Sequence, residues 1–127
     1  MPNTVITSDR IAPPVGPFSP AIRAGDSVYL SGQVAQDPTT GRLIDGNVTQ
    51  QTEQILRNVE AVLQAAGVTL RDVVRVGVFL ADMGDFQAMN AVYANWFEAP
   101  YPARTTVAVA ALPLGASVEI DIIARTP

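Results

Sequence analysis

The stretch Pro102-Ala-Arg-Thr-Thr-Val-Ala-Val-Ala-Ala-Leu-Pro113 runs on into Leu114-Gly-Ala-Ser-Val-Glu119 and organises the C-terminal part of the chain. Its composition predicts two strands joined by a turn at Pro113–Gly115. Arg104 lies at the start of the first strand, and Glu119 lies within the second. An arginine at the head of an apolar strand is either a surface arginine paired with an acid or a residue that meets an anion. The strand itself leaves both alternatives open.

The second strand alternates between apolar and acidic residues from Val118 to Ile122. Side chains of a strand alternate between its faces, so Glu119 and Asp121 share one face. One of these carboxylates can orient a water or move a proton beside a ligand held by Arg104. The alternative is a plain salt bridge or a solvated acid pair. On the first strand, Thr106 shares the face of Arg104, although a β-branched residue also fits a strand without any function.

The composition restricts the chemistry that the chain can perform. At 127 residues it is predicted to form one domain over residues 1–127, and 48% hydrophobic against 16% charged residues indicate that a neighbouring subunit covers part of the surface. All eight basic residues are arginines, and there is no His or Cys. This excludes thiol and Ser-His-Asp nucleophiles, Schiff-base lysines, and zinc sites built from His or Cys. Arginine, carboxylates, hydroxyls, backbone groups and water remain.

The charge and the N-terminus limit the partners and the compartment. A net charge of −4 and scattered arginines argue against a nucleic-acid partner. No apolar run approaches ~20 residues, so no membrane partner is expected. The N-terminus lacks the basic and apolar regions of a signal peptide. These features together predict a cytoplasmic protein.

The N-terminal part contains a short predicted strand at Val5–Thr7 and a segment from Ala12 to Pro20 with four prolines in nine residues. The prolines exclude a helix and a central strand, and predict an extended wall that holds Phe18. Phe18 is either an apolar plug beneath a loop or a residue that faces a ligand. Next, Ser27–Val34 is predicted as a strand with Gly32 on the face of Val28 and Leu30. A glycine there indicates a bulge or a close backbone approach.

Two helices are predicted from caps and apolar periodicity. The first runs from Asn47 to Ala66, with Asn47 and Gln50 as a capping box and Gly67 after its end. Its solvent side is predicted to carry Gln50, Gln51, Glu53, Arg57 and Glu60.

The second helix follows the apolar strand Val73–Ala81, which is expected to be covered by helices on one face and by a neighbouring subunit on the other. Asp82 is predicted to cap this helix, and Asn90 to brace it as a structural amide. Its buried stripe is expected to contain Phe86, Met89, Tyr93, Trp96 and Phe97. The order of elements predicts an α+β sandwich with a mixed sheet and both helices on one face.

These residues resemble the Rid family, the reactive-intermediate (enamine/imine) deaminases of YjgF or RidA type. Pro-Ala-Arg followed further along by Val-Glu-Ile is its most specific signature. The resemblance spans nearly the whole chain and rests on Gly16-Pro-Phe-Ser19, Leu30-Ser-Gly-Gln-Val34, Val78-Phe-Leu-Ala-Asp-Met-Gly-Asp-Phe86, Asn90, Pro102-Ala-Arg-Thr105, Ala111-Leu-Pro113 and Val118-Glu-Ile120.

The resemblance implies a chorismate-mutase-like fold assembled as a homotrimer, with its sheets facing inward and ligand clefts between subunits. It also implies hydrolysis of 2-aminoacrylate and related 2-imino acids to 2-keto acids and ammonia, without a cofactor or a metal. Carried over by position, Arg104 clamps the substrate carboxylate and Glu119 positions the attacking water. Ser31 and Gly32 line the cleft, and Asn90 is mainly structural.

Two cleft positions differ from the best-known members of the family. Phe18 replaces a usual tyrosine, and Thr106 replaces a frequent cysteine. Both differences leave the carboxylate clamp in place and leave the rate and the exact substrate open.

Three other functions are weighed against imine hydrolysis. One is a non-catalytic carboxylate-binding or chaperone-like trimer, and another is a pathway-specific deaminase for a larger substrate such as 2-aminomuconate. The third, ribonuclease activity, is disfavoured by the acidic charge and by the absence of His and Lys.

Overall fold

One six-stranded sheet organises residues 2–127, the part of the chain that the computed structural model describes. Two helices enclose the apolar core against one face of this sheet. In chain order, the elements are β1 Thr4–Ile6, β2 Ala21–Ala24, β3 Ser27–Gln33, α1 Val48–Ala65, β4 Val73–Leu80, α2 Phe86–Trp96, β5 Ala103–Ala108 and β6 Val118–Arg125. The predicted mixed sheet with two helices is therefore confirmed.

The strands lie in the order β1-β2-β3-β6-β4-β5. Neighbouring strands are antiparallel except β4 and β5, which are parallel. The two strands predicted near the C-terminus both form, and a short 3-10 turn at Pro113–Gly115 lies between them in sequence. They do not pair with each other, because β4 lies between them. As a result, β5 forms an edge of the sheet.

The ends of α1 are as the sequence predicts. The Asn47 side chain accepts the Gln50 N–H at 3.0 Å, and the Gln50 side chain accepts the Asn47 N–H at 2.9 Å. Gly67 follows the helix with a φ of 76°, a left-handed conformation that glycine adopts without steric cost. The sequence predicts Gln51 on the solvent side of the helix, but the structure buries this residue, which is only 4% exposed. Its amide is buried because it bonds to the backbone of Gly46 and Ser117.

The structure differs from the sequence-based expectations at three places. Strand β2 was not predicted, because four residues after a proline-rich segment carry too little periodicity. Asp82 caps a 3-10 turn at Met83–Asp85, with its carboxylate accepting the Gly84 N–H at 2.8 Å, and α2 begins only at Phe86. Gly32 does not share the face of Leu30, because a bulge between Leu30 and Gln33 shifts the alternation by one residue.

Strand β4 has one fully buried face in this chain. Val76, Val78 and Leu80 are buried against the helices. The opposite face carries Arg75 and Phe79 and lines a cavity of about 450 Å3. Covering of this second face by a neighbouring subunit remains a prediction. Among the described residues, no helix is long and apolar enough to cross a membrane.

Removing the cap of α1 should lower the stability of the fold. Asn47→Ala deletes the acceptor for the Gln50 N–H and should lower the free energy of unfolding by about 1 kcal/mol. Urea denaturation measures the change, with Arg57→Ala, an exposed position on the same helix, as the control. Equal stability of the two variants would contradict the role assigned to the cap.

Candidate functional site

Arg104 lies on the helix-covered face of the sheet. In the parallel register of β4 and β5, Arg104 is opposite Val76 and Thr106 is opposite Val78, and both valines are fully buried. Thr105 lies opposite Gly77 on the other face, where its hydroxyl accepts a hydrogen bond from Arg75 at 2.8 Å. Thr106 therefore shares the face of Arg104, as the alternation predicts.

Aromatic rings of α2 hold the Arg104 guanidinium. Its Cζ atom lies 4.6 Å from the ring centroid of Tyr93 and 5.7 Å from that of Phe86. Within residues 2–127, the ion pairs are Arg57–Glu53 and Arg71–Glu98, so Arg104 has no carboxylate within 4.0 Å there. The alternative of a surface arginine paired with an acid of the same chain is therefore wrong for the described residues.

The guanidinium borders a cavity of about 370 Å3. Its walls are Asn90, Tyr93, Ala94, Tyr101, Pro102 and Arg104. The Asn90 Oδ1 and Tyr93 hydroxyl oxygen atoms are buried without a hydrogen-bond partner among residues 2–127. Burial raises the pKa of the Tyr93 phenol, and the positive charge of Arg104 offsets part of this rise. Asn90 thus lies where the sequence places it, but its amide oxygen braces nothing within the described chain.

Glu119 lies on the opposite face of the sheet from Arg104. It pairs with Phe79 of β4, and Asp121 pairs with Gly77, so the two acids share one face as predicted, and this is the open face of the sheet. Gly32 lies directly against Glu119, since a Cβ at this position would collide with the Glu119 carboxylate. The sequence predicted a bulge or a close approach at Gly32, and the structure contains both.

The Glu119 carboxyl is partly removed from water. Burial raises its pKa, and the nearby charge of Asp121 raises it further. Neither acid takes part in an ion pair with another described residue. A carboxylate whose pKa is raised accepts a proton more readily than an ordinary glutamate does.

Ser31 lies in β3 just before Gly32 and is hydrogen-bonded to the proline-rich segment. Its hydroxyl donates to the Ser19 carbonyl at 2.7 Å, and its backbone N–H donates to the Pro20 carbonyl at 3.0 Å. Phe18, next to Ser19, is 49% exposed, so it is not a buried plug in this chain. Ser31 thus anchors the segment that presents Phe18 to the surface.

The candidate residues therefore form two groups. The group that we call the arginine side contains Arg104, Thr106, Asn90 and Tyr93, at the β5 edge and on the helix-covered face. The group that we call the glutamate side contains Glu119, Gly32, Ser31 and the adjoining Phe18 segment. One chain does not bring Arg104 and Glu119 together, because they lie on opposite faces of its sheet.

Sequence reasoning placed Tyr93 only in the buried stripe of α2 and missed its contact with Arg104. The available signal was a phenol one helical turn after Asn90 on the same helix face. A larger cleft of about 570 Å3, between the end of α1 and residues 96–102, contains none of the predicted site residues.

The sequence and the fold both match known proteins. Residues 8–126 match the family model described as Endoribonuclease L-PSP. A mouse 2-iminobutanoate/2-iminopropanoate deaminase is 42% identical over 120 residues, which cover 94% of this chain and 89% of the mouse protein. The crystal structure of RidA from the Antarctic bacterium Psychrobacter superposes with a TM-score of 0.93 at 43% identity, covering 96% of this chain and 98% of the other. The chain belongs to the Rid family.

A further structural neighbour has a ligand in its crystal structure. E. coli TdcF with bound serine superposes with a TM-score of 0.92 at 35% identity. The match covers 98% of this chain and 99% of TdcF.

The two acids of β6 should make the stability of this Rid protein depend on pH. A folded-state pKa that is raised, as for Glu119, favours folding below the usual glutamate pKa, and this contribution is lost as the pH rises through the raised value. Asp121→Asn removes one cause of the rise. The variant should therefore gain stability over the parent as the pH rises from about 4 to 7.

Thermal unfolding at fixed protein concentration measures this difference at each pH. The same substitution in a Glu119→Gln background is the control, because the repulsion is already absent there. A gap between parent and Asp121→Asn that does not change with pH would contradict the assignment.

Proposed function

We propose that this protein is a hydrolytic deaminase that converts small reactive 2-imino acids and enamines, of the 2-iminopropionate and 2-aminoacrylate type, to 2-keto acids and ammonia. We further propose that it acts as a homotrimer, in which the arginine side of one subunit and the glutamate side of the next form each cleft. The observation that carries the proposal is the Arg104 guanidinium, which borders a cavity without an acid partner in residues 2–127.

A planar guanidinium matches a carboxylate with two parallel hydrogen bonds, which makes Arg104 suited to clamp a 2-imino acid. The mouse relative at 42% identity is named for imine substrates of this class, and the TdcF neighbour binds serine, which carries the same carboxylate. Phe18, Ser31 and Thr106 are assigned to the lining of the cleft around this carboxylate.

The chemistry needs a water and a proton carrier. Water adds to C2 of the imine, and Glu119 accepts the proton that the water loses. Glu119 passes this proton to the imine nitrogen, which gives a carbinolamine. Glu119 then accepts the hydroxyl proton and passes it to the same nitrogen, so the C–N bond breaks, ammonia leaves and the hydroxyl oxygen becomes the keto oxygen. A 2-aminoacrylate first gains a proton at C3 and loses one from its nitrogen, which converts it to the imine. The raised pKa of Glu119 makes its carboxylate a better proton acceptor than an ordinary glutamate.

Loss of the clamp should abolish the activity. Arg104→Ala should lower kcat/KM by about a hundredfold or more, because two charge-assisted hydrogen bonds contribute roughly 3 kcal/mol or more. Arg104→Lys should also lose most activity, since an ammonium lacks the planar fork. An amino-acid oxidase generates the imines, and their decay is followed with and without each protein.

Arg57→Ala, which removes an exposed arginine elsewhere, is the matched control and should behave as the parent does. Parental activity in Arg104→Ala would refute the clamp. A parent that binds pyruvate but leaves imine decay at the buffer rate would instead support the non-catalytic carboxylate-binding trimer. Faster decay only for long imines would favour a pathway-specific deaminase.

Ribonuclease activity is not proposed, although the family model carries that description. A net charge of −4 and the absence of His and Lys provide neither a phosphate-binding surface nor the usual acid–base pair.

A further inference from the structure

Tyr93 lies between the Arg104 guanidinium and the core of the molecule. It is 6% exposed, and its ring stacks on Phe97 with centroids 4.4 Å apart and planes 25° from parallel. The Arg104 Cζ atom lies 4.6 Å from the Tyr93 ring centroid. The ring is therefore fixed by the core on one side and meets the guanidinium on another.

The orientation of Arg104 depends on such contacts, because no carboxylate of residues 2–127 holds it. A guanidinium is attracted to the face of an aromatic ring and stacks on it with its plane defined. A guanidinium that donates two parallel hydrogen bonds to a carboxylate binds it tightly only when the guanidinium plane is fixed before the carboxylate arrives. The Tyr93 ring supplies this preorganisation in the single chain, with Phe86 more distant at 5.7 Å.

The Tyr93 hydroxyl is a second observation at the same place. It is buried without a hydrogen-bond partner in residues 2–127, and so is Oδ1 of Asn90, three residues earlier on α2. Both side chains line the cavity that Arg104 borders. A buried polar atom without a partner is costly, and a pair of them at one cavity indicates that these atoms form hydrogen bonds when a ligand is bound.

We propose that Tyr93 is a positioning residue of the carboxylate site: its ring sets the plane of the Arg104 guanidinium, and its hydroxyl accepts an Arg104 N–H when the guanidinium engages a carboxylate. This inference rests on the proposed function for the nature of the ligand. Tyr93 acts through Arg104 and does not itself touch the reacting atoms.

The test measures pyruvate affinity and imine-hydrolysis kinetics in two Tyr93 variants. Tyr93→Leu removes the ring face and should raise the Kd for pyruvate and the KM for the imine about tenfold, with kcat nearly unchanged. Tyr93→Phe keeps the ring and should be at least as stable as the parent without ligand. It should nevertheless show a smaller rise in Tm on addition of pyruvate, because the hydrogen bond formed with the ligand is lost.

Phe97→Leu is the matched control, because it removes a buried ring of the same stack that does not contact Arg104. It should lower stability without the tenfold change in Kd. In an Arg104→Ala background, Tyr93→Leu should cause no further loss of affinity.

Unchanged pyruvate affinity in Tyr93→Leu, or equal losses in Tyr93→Leu and Phe97→Leu, would overturn the inference. If Tyr93→Leu does not fold, an unchanged pyruvate-induced Tm shift in Tyr93→Phe would overturn it. A different result would contradict the proposed function, namely a parent that does not hydrolyse imines. In that case the pyruvate-binding measurements still test the role of Tyr93. A parent that does not bind pyruvate would overturn both.

Discussion

The parallel pairing of β5 with β4 determines which face of the sheet carries Arg104, the central residue of the proposed site. It places Arg104 opposite Val76 and so turns the guanidinium toward the helices, at the free edge of the sheet. The antiparallel pairing of β6 with β4 turns Glu119 to the other face, opposite Phe79. A sheet separates these two residues within one chain. A reaction that uses both therefore needs the arginine side and the glutamate side of different subunits.

Each side is locally prepared for its role. On the arginine side, the rings of α2 hold a cation that has no acid partner in residues 2–127. On the glutamate side, Gly32 has no side chain and the bulge in β3 brings its backbone against Glu119. Burial of the Glu119 carboxyl, together with the nearby charge of Asp121, raises the pKa of Glu119. In the proposed reaction, a clamp for the carboxylate and a carboxyl that transfers protons suffice for water to attack an imine, which is already electrophilic.

The sequence predicted local features well because caps, alternation and glycine restrictions act over a few residues. The capping box at Asn47, the shared face of Glu119 and Asp121, and the close approach at Gly32 are examples. It could not predict that β4 lies between β5 and β6, since strand order depends on contacts between distant segments. For the same reason the sequence did not predict the contact between Tyr93 and Arg104, which exists only after α2 docks beside the sheet edge.

Subunit mixing tests most directly whether Arg104 and Glu119 of different subunits form one cleft. Arg104→Ala and Glu119→Gln, each expected to be inactive alone, are coexpressed with different tags, and the doubly tagged trimers are assayed for imine hydrolysis. Every doubly tagged trimer contains both variants and therefore has one intact cleft out of three, so activity should return to about a third of the parental rate. Mixed trimers as inactive as the single variants would contradict the account.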